Sequence, residues 1–535
     1  MSRGPTHELI PTEEQKTILS MAESGCDLVI MALAGTGKTT TVGLVAKSLS
    51  RPSKSGLYLA YNAEMKRAAI EKGFPAECST IHSLAYRQIV GPGPTALFHP
   101  SRIFNGSIPG RMISEALGFR RVGFAGRVVM PPRIGSLCLS TVRNFCYSDS
   151  REISLPHVSL GDYGKLVRGI VEKLRKEKGK ALAQGDHQAA ASCNNRIAEL
   201  FEAEKDLKKE ILGNAKILWD EMNKPFGKGK LPITHDVYLK RYVEGVVDGQ
   251  FSLPEVGFVI LDEAQDSNSV TLKLLNAFRN NGAQSIVVGD HYQQIYEWRG
   301  TENSMKTILE SPDISSAFLS QSFRFGDEIA AFVNAYMSRH LNEDFHIRGN
   351  PDVRSRVGET SRPDAIVCRT NAGVLEALYR ETGMGRRVYI PKGKEISRMI
   401  EDIEALREKR RPKTSAFQVF RDYEELEEFS ETEEGKQISM LIKMIEKYEG
   451  DNLSETLARA GEGGVAPGGV TITTGHGSKG LEWDKVSLWD DFPSGEKLER
   501  NEEEQRLGYV AMTRAKHVLD PSLWSVFSET AEVWI

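Results

Sequence analysis

Eight residues near the start of the chain, Ala32-Leu33-Ala34-Gly35-Thr36-Gly37-Lys38-Thr39, have the types and spacing needed to hold a phosphate chain. Gly35 and Gly37 let backbone N–H groups turn toward phosphate oxygens. Lys38 sets a point charge against the β- and γ-phosphates, and the Thr39 hydroxyl can ligate Mg2+. Ala32 stands where the strict pattern has glycine, so the match is one residue short. Context carries the reading. The loop follows the apolar run Leu28 to Met31 and opens a helix-like stretch, Thr40 to Leu49, which is the strand–loop–helix setting that phosphate binding requires. Ala34, Gly35, Thr36, Gly37, Lys38, Thr39 and Thr40 are therefore the expected nucleotide contacts.

A second constellation completes the chemistry. Val259-Ile260-Leu261-Asp262-Glu263 is an apolar run ending in adjacent carboxylates. It puts Asp262 beside a metal ion and Glu263 where it can orient and deprotonate an attacking water. An acidic pair alone is usually surface decoration. Beside a phosphate loop it reads as machinery for phosphoryl transfer to water, which needs mainly positioning and charge neutralisation.

These residues need a scaffold. Apolar, β-branched runs recur at Leu28 to Met31, Leu57 to Leu59, Phe258 to Leu261, Ser285 to Val288, Ala365 to Val367, Val470 to Thr473 and Val486 to Leu488. Most precede polar loops, with helix-like segments between them, so the pattern predicts an α/β protein with buried parallel strands. Ligands in such sheets sit at the strands' carboxyl ends, where both constellations fall. Two stretches differ, from about Gly91 to Gln250 and from about Arg386 to Gly464. Both are charged and helix-like, as in Arg196 to Leu212, and read as insertions. Gly461 to Gly469 reads as a flexible joint. The charge runs Arg407 to Lys413 and Asp422 to Glu434 fit solvated helix faces better than binding sites.

Composition sets outer bounds. At 535 residues the chain must divide into several domains. Hydrophobic residues at 40% and charged residues at 27% are those of an ordinary globular protein. No apolar run approaches the roughly 18 residues of a membrane span. Met1 to Glu14 is polar, so no secretory leader is expected. The six cysteines have no CxxC pair, which argues for reduced thiols and against zinc or iron–sulfur sites. A net charge of −4 neither supports nor excludes nucleic acid, because local potential decides where phosphates bind.

The order of motifs then points to a family. Gln15 is followed by Ala32 to Thr39, YNAEM at Tyr61 to Met65, TIHSLA at Thr80 to Ala85 and DEAQD at Asp262 to Asp266. GDHYQQIYEWRG at Gly289 to Gly300, SFRFG at Ser322 to Gly326, TGHGSKGLEW at Thr474 to Trp483 and QRLGYVAMTRAK at Gln505 to Lys516 complete the set. The chain resembles the UvrD/Rep/PcrA-like superfamily 1A DNA helicases across nearly its whole length. Within them it is most similar to the F-box DNA helicase branch, through SFRFG, THDVYLKRY at Thr234 to Tyr242 and DYEELEEFSE at Asp422 to Glu431. The nucleotide motifs begin almost at residue 1, so no F-box is expected before them, nor an appended nuclease after the last motif.

The resemblance implies two RecA-like parallel-sheet motor domains, 1A and 2A, each with a mostly helical insertion, 1B and 2B. Domain 1A would take residues 1–90 and 251–318, with 1B at 91–250. Domain 2A would take 319–385 and 465–535, with a short 2B at 386–464. It also implies roles one residue at a time. Gln15 would read adenine, since an amide donates and accepts on one base edge. Phe323 would stack near the adenine, and Glu482 would contact the ribose. Gln293 would sense the γ-phosphate. Arg324 and Arg514 would reach that phosphate from the second motor domain, neutralising charge that develops during transfer. Trp298 would be a platform for a base, coupled to the ATP cleft through Tyr296. Asn62, Thr80, His82 and His476 would contact the strand's phosphates or sugars.

The implied activity is ATP-dependent, Mg2+-assisted translocation along single-stranded DNA with 3′→5′ polarity, coupled to unwinding at single/double-strand junctions. A repair, recombination or replication setting follows from the same resemblance, in a cytoplasmic or nuclear compartment. A translocase that strips recombinase or other proteins from the strand, an RNA-active helicase, and an inactive nucleic-acid scaffold are the competing readings. Intact Lys38, Asp262, Glu263 and Arg514 argue against the last.

Overall fold

The computed structural model describes residues 10–51, 55–92, 96–104, 108–225, 227–295, 304–309, 311–341, 346–414, 416–431, 435–448, 452–462, 464, 468–527 and 530. The chain opens with three strands, β1 (Leu28–Ala32), β2 (Gly56–Ala60) and β3 (Glu77–Thr80), then a small antiparallel hairpin, β4 (Val122–Phe124) and β5 (Arg127–Val129). Strands β6 (Phe258–Leu261), β7 (Gln284–Gly289) and β8 (Ser315–Leu319) follow. The last six are β9 (Arg356–Val357), β10 (Ala365–Cys368), β11 (Val388–Tyr389), β12 (Val470–Thr474), β13 (Trp483–Leu488) and β14 (Ala515–Asp520).

Two six-stranded sheets result, ordered β3-β2-β6-β7-β1-β8 and β11-β12-β10-β13-β14-β9. Every pairing in both is parallel. The expected α/β class with two parallel-sheet lobes is what the chain forms. The physical reason lies in the strands. β1, β2, β6 and β7 are buried at every position, as strands covered on both faces must be.

All seven apolar runs read from the sequence are strands. The strands missed are β3, β8, β9, β11 and β14 of the two sheets and the hairpin strands β4 and β5. β8 alternates buried and accessible positions, and β3 has an exposed first residue. Both lie at sheet edges, where one-sided contact relaxes the demand for a continuous apolar run. β11 falls inside 386–464, the stretch expected as an insertion. Val388 and Tyr389 nevertheless pair with Val470 and Thr471, so the second sheet extends into it.

Both sheets belong to one compact unit, made of Met1–Leu84, Ser252–Glu395 and Glu455–Ile535. A second unit, Ala85–Phe251 with Ile396–Ser454, is mostly helical. Its longest helix, His187–Met222, covers the charged stretch Arg196 to Leu212. Within this unit the two inserted stretches meet, with Arg111 Nε 2.7 Å from Glu425 Oε1 and Arg133 Nη2 donating to Glu431 O at 3.2 Å. The joint at Gly461 to Gly469 lies partly outside the described residues. All six cysteines are free thiols, and no described helix is long and apolar enough to cross a membrane.

Candidate active site

Three neighbouring central strands of the first sheet, β1, β7 and β6, carry the chemistry at their carboxyl ends. β1 runs into the phosphate loop, β6 into Asp262-Glu263 and β7 into Asp290 to Gln293. Gly35 and Gly37 both take φ of 74°, the left-handed conformation that glycine adopts without steric cost. The helix Lys38–Leu49 starts directly after them, so its free amides face the loop.

The carboxylates are held firmly. Asp262 accepts from the Tyr58 hydroxyl at 2.5 Å and from the Glu263 N–H at 2.9 Å. Glu263 itself has φ of 53°, a conformation that costs a non-glycine residue roughly 1–3 kcal/mol. Its carboxylate pairs with the Lys38 ammonium and accepts from the Gln265 amide. Burial works to raise the Glu263 carboxyl, but Lys38 and then Lys479 outweigh it and hold it low, at about 2. For Asp262 burial wins over Lys38, and its carboxyl is raised. Burial also pushes Asp290 up to about 6, against the Gln293 amide that donates to its Oδ2 at 2.6 Å.

The second sheet contributes cations. Arg514 precedes β14 and is 2% exposed, donating to the carbonyls of Val510 at 2.8 Å and Leu481 at 3.3 Å and to Thr513 Oγ1 at 3.1 Å. No acid pairs with it among the described residues. Burial, then the Arg324 guanidinium, pushes its pKa down to about 9, so it stays charged at neutral pH while strained by desolvation. Asp290 and Glu263 both act on it electrostatically. Arg324 donates to Thr513 O at 2.7 Å and lies 2.8 Å from Glu482. Glu482 also meets Lys516 at 2.9 Å; burial opposes ionisation there, but Lys516 and Arg324 hold the carboxyl low.

The expected nucleotide residues converge. The Phe323 N–H donates to Gly35 O at 2.7 Å, and its ring is 46% exposed. A Cβ built on Gly37 would meet that ring at 3.3 Å and the Gln15 amide at 3.6 Å, so loop, ring and amide line one slot. The Gln15 Nε2 donates to Thr41 Oγ1 at 3.0 Å, and its Oε1 accepts from the Thr12 N–H at 3.0 Å in a capping box. Ala34 and Thr36 are buried in the loop, and Thr39 and Thr40 are exposed on the helix's first turn. The left-handed loop and the buried, acid-free arginine fit a polyanion such as a triphosphate. Thr39 and Asp262 are the residues that would hold its Mg2+.

The expected strand contacts divide. Asn62 and Thr80 stand just past the carboxyl ends of β2 and at the end of β3, where Ala60 and Thr80 are paired in register. Each also has a structural duty at the start of a helix. Asn62 Oδ1 accepts from the Met65 N–H at 2.8 Å, and Thr80 Oγ1 from the Ser83 N–H at 3.1 Å. His82 is half-buried on the first turn of the helix Ile81–Ile89. His476, after β12, hydrogen-bonds the Ile295 backbone. Burial and then Arg369 lower its pKa to about 4, leaving the ring neutral near pH 7. Tyr296 and Trp298 lie outside the described residues.

Several members of the site escaped the sequence reading. Tyr58, Gln265, Lys479, Tyr509 and Thr513 all hold charged or backbone groups described here or below. All but Tyr58 lie within the motifs quoted above, so their neighbourhood was visible although their partners were not.

Residues 255–524 match the family described as UvrD-like helicase C-terminal domain, and residues 15–299 match an AAA domain family. The chain is similar to F-box DNA helicase protein 1 of Schizosaccharomyces pombe, 25% identical over 543 residues, covering 94% of this chain and 56% of that protein. It is 28% identical over 553 residues to F-box DNA helicase 1 of Gallus gallus, covering 95% of this chain and 48% of that one. A shorter match, 27% over 84 residues and 15% of this chain, is to DNA helicase II of Escherichia coli. The chain spans about half the length of the two F-box helicases it matches.

Proposed function

The chain belongs to the UvrD-like helicase family, and from that premise we propose that it is an ATP-dependent single-stranded-DNA translocase and DNA helicase moving 3′→5′. The observation that carries this reading is Arg514: a buried guanidinium from the second lobe, without an acid partner among the described residues, lying within the field of Glu263 and Asp290. Such a charge is strained until an anion arrives, so it favours closure of the two lobes on a triphosphate.

The resting pairings define the order of events. Lys38 is paired with Glu263, so the base is masked and weakly basic. A γ-phosphate draws Lys38 away and relieves Glu263 of its strongest counter-charge. Glu263 then orients a water and takes its proton as the water oxygen bonds to phosphorus and the bridging oxygen to the β-phosphate departs. Thr39 and Asp262 would hold a Mg2+ ion, which would supply charge neutralisation at the phosphates when bound. Arg324 and Arg514 neutralise the transferring group, and product release removes what they grip. The lobes then part.

Movement requires a strand gripped differently in the two states. Asn62, Thr80, His82, His476, Tyr296 and Trp298 are the proposed contacts, the last two as stacking surfaces worth about 1–3 kcal/mol per base. The setting proposed with it is DNA repair, recombination or replication. Partial duplexes bearing a 3′ or a 5′ single-stranded tail test the reading. ATP-dependent unwinding is expected from the 3′ tail, and unwinding from the 5′ tail alone, or ATPase stimulation by RNA but not DNA strands, would overturn it.

A further inference from the structure

Tyr509 has no part in the roles assigned above, yet it is fully buried at the phosphate loop. It lies on the helix Glu502–Met512, which runs toward β14 of the second sheet, and its hydroxyl bonds atoms of the first lobe on two sides. The Ala34 N–H donates to it at 2.9 Å, and it donates to Asp290 Oδ2 at 3.0 Å. A phenol has one proton to give and lone pairs to accept, so the pair uses the hydroxyl in both senses. Asp290 Oδ2 is also the atom to which Gln293 donates.

The other end of the residue leads to the arginines. Tyr509 O accepts from the Thr513 N–H at 3.1 Å and from its hydroxyl at 2.8 Å. Thr513 in turn accepts Arg514 through its Oγ1, at 3.1 Å, and Arg324 through its carbonyl, at 2.7 Å. A continuous chain of hydrogen bonds thus runs from the phosphate loop, through one tyrosine, to both guanidinium groups.

We propose that Tyr509 is a positioning residue of the ATP site, a hydroxyl latch that registers Arg324, Arg514 and Gln293 against the phosphate loop. This rests on the ATP-hydrolysis reading above. Among the described residues the hydroxyl touches no part of the slot formed by Gln15, Phe323 and Gly37 and meets the phosphate loop only at the Ala34 N–H, so its loss is expected to act on turnover more than on nucleotide affinity. Displacing a catalytic group by about 1 Å costs on the order of a hundredfold in rate, which bounds the effect.

The test compares the full chain with Tyr509→Phe, Asp290→Asn, the double variant and Lys38→Ala, in steady-state ATP hydrolysis stimulated by an oligo-dT strand. Tyr509→Phe keeps the buried ring and deletes only the hydroxyl. It is expected to lower kcat by about 10- to 100-fold with KM for ATP changed by less than about twofold. Asp290→Asn turns one of the two carboxylate oxygens into an NH2 donor, so it cannot accept the Tyr292 N–H at one oxygen and the Tyr509 hydroxyl and Gln293 amide at the other, and it is expected to lower kcat at unchanged KM. The double variant should fall no further than about threefold below the slower single one, because both cut one linkage. Turnover of Tyr509→Phe within about twofold of wild type, a matched rise in KM, or multiplicative losses in the double variant would each overturn the latch. Should Tyr509→Phe not fold, Asp290→Asn with turnover within about twofold of wild type would overturn it as well. Lys38→Ala separates the two levels: if it retains wild-type hydrolysis, the ATP-site reading fails, whatever Tyr509 does.

Discussion

Lys479 Nζ, on the loop between β12 and β13 of the second sheet, lies 2.5 Å from Asp266 Oδ2, on the loop after β6 of the first. It also donates to Gln293 O at 2.9 Å. The Asp266 side chain is fully buried, and burial raises its carboxyl against the pull of Lys479. Removing one member of a buried pair strands the other. Lys479→Met is therefore expected to lower the unfolding free energy by about 3–5 kcal/mol. Denaturant unfolding measures it, and a loss under about 1 kcal/mol would mean that the pair is dispensable.

Arg514 should show the opposite trade. Its charge is desolvated, pushed to a pKa of about 9, and held by two carbonyls and one hydroxyl. Arg514→Met is expected to raise the nucleotide-free unfolding free energy by about 1–3 kcal/mol while strand-stimulated hydrolysis falls about a thousandfold or more. Thermal unfolding alongside an ATPase assay checks both halves. A destabilised variant would show that the guanidinium serves the core.

At Gly35 the loop has no room for a side chain. A Cβ there would lie 2.6 Å from Ser322 Oγ and 2.7 Å from Arg324 Cβ, at a φ of 74°. Gly35→Ala is expected to cost about 1–3 kcal/mol in stability and to displace the arginine-bearing segment as well as the loop. Nucleotide titration and steady-state kinetics should show both weaker binding and slower turnover. A change in KM alone would place the clash elsewhere.

Asp290 gives the protein a pH signature. Its carboxyl is raised from 3.8 to about 6, chiefly by burial, so between those values the folded state holds a proton that the unfolded chain has released. Stability must then fall as pH rises through that window and level off above it, a contribution of about 3 kcal/mol. Asp290→Asn lacks this term. From about pH 4 to about pH 7 its unfolding free energy should gain about 2–3 kcal/mol relative to wild type. A gap that stays flat or narrows would rule out the buried, protonatable carboxyl.

The sequence determined what is local and periodic. Uninterrupted apolar runs at Leu28 to Met31 and Phe258 to Leu261 demanded strands covered on both sides, and the residues at their ends had to be loops at a ligand-binding edge. Gly35 and Gly37 announced a left-handed loop because other residues resist that backbone. Only the tertiary structure decided how distant segments meet. Nothing within QRLGYVAMTRAK says that Tyr509 bonds Ala34, 475 residues away, or that Thr513 gathers two arginines. Nor could spacing reveal that Lys38 rests on Glu263, or that Arg514 is buried without an acid partner among the described residues. Helical and strand periodicity report which face is covered, whereas hydrogen bonds between lobes depend on how the two sheets dock, and that geometry is written in no local pattern.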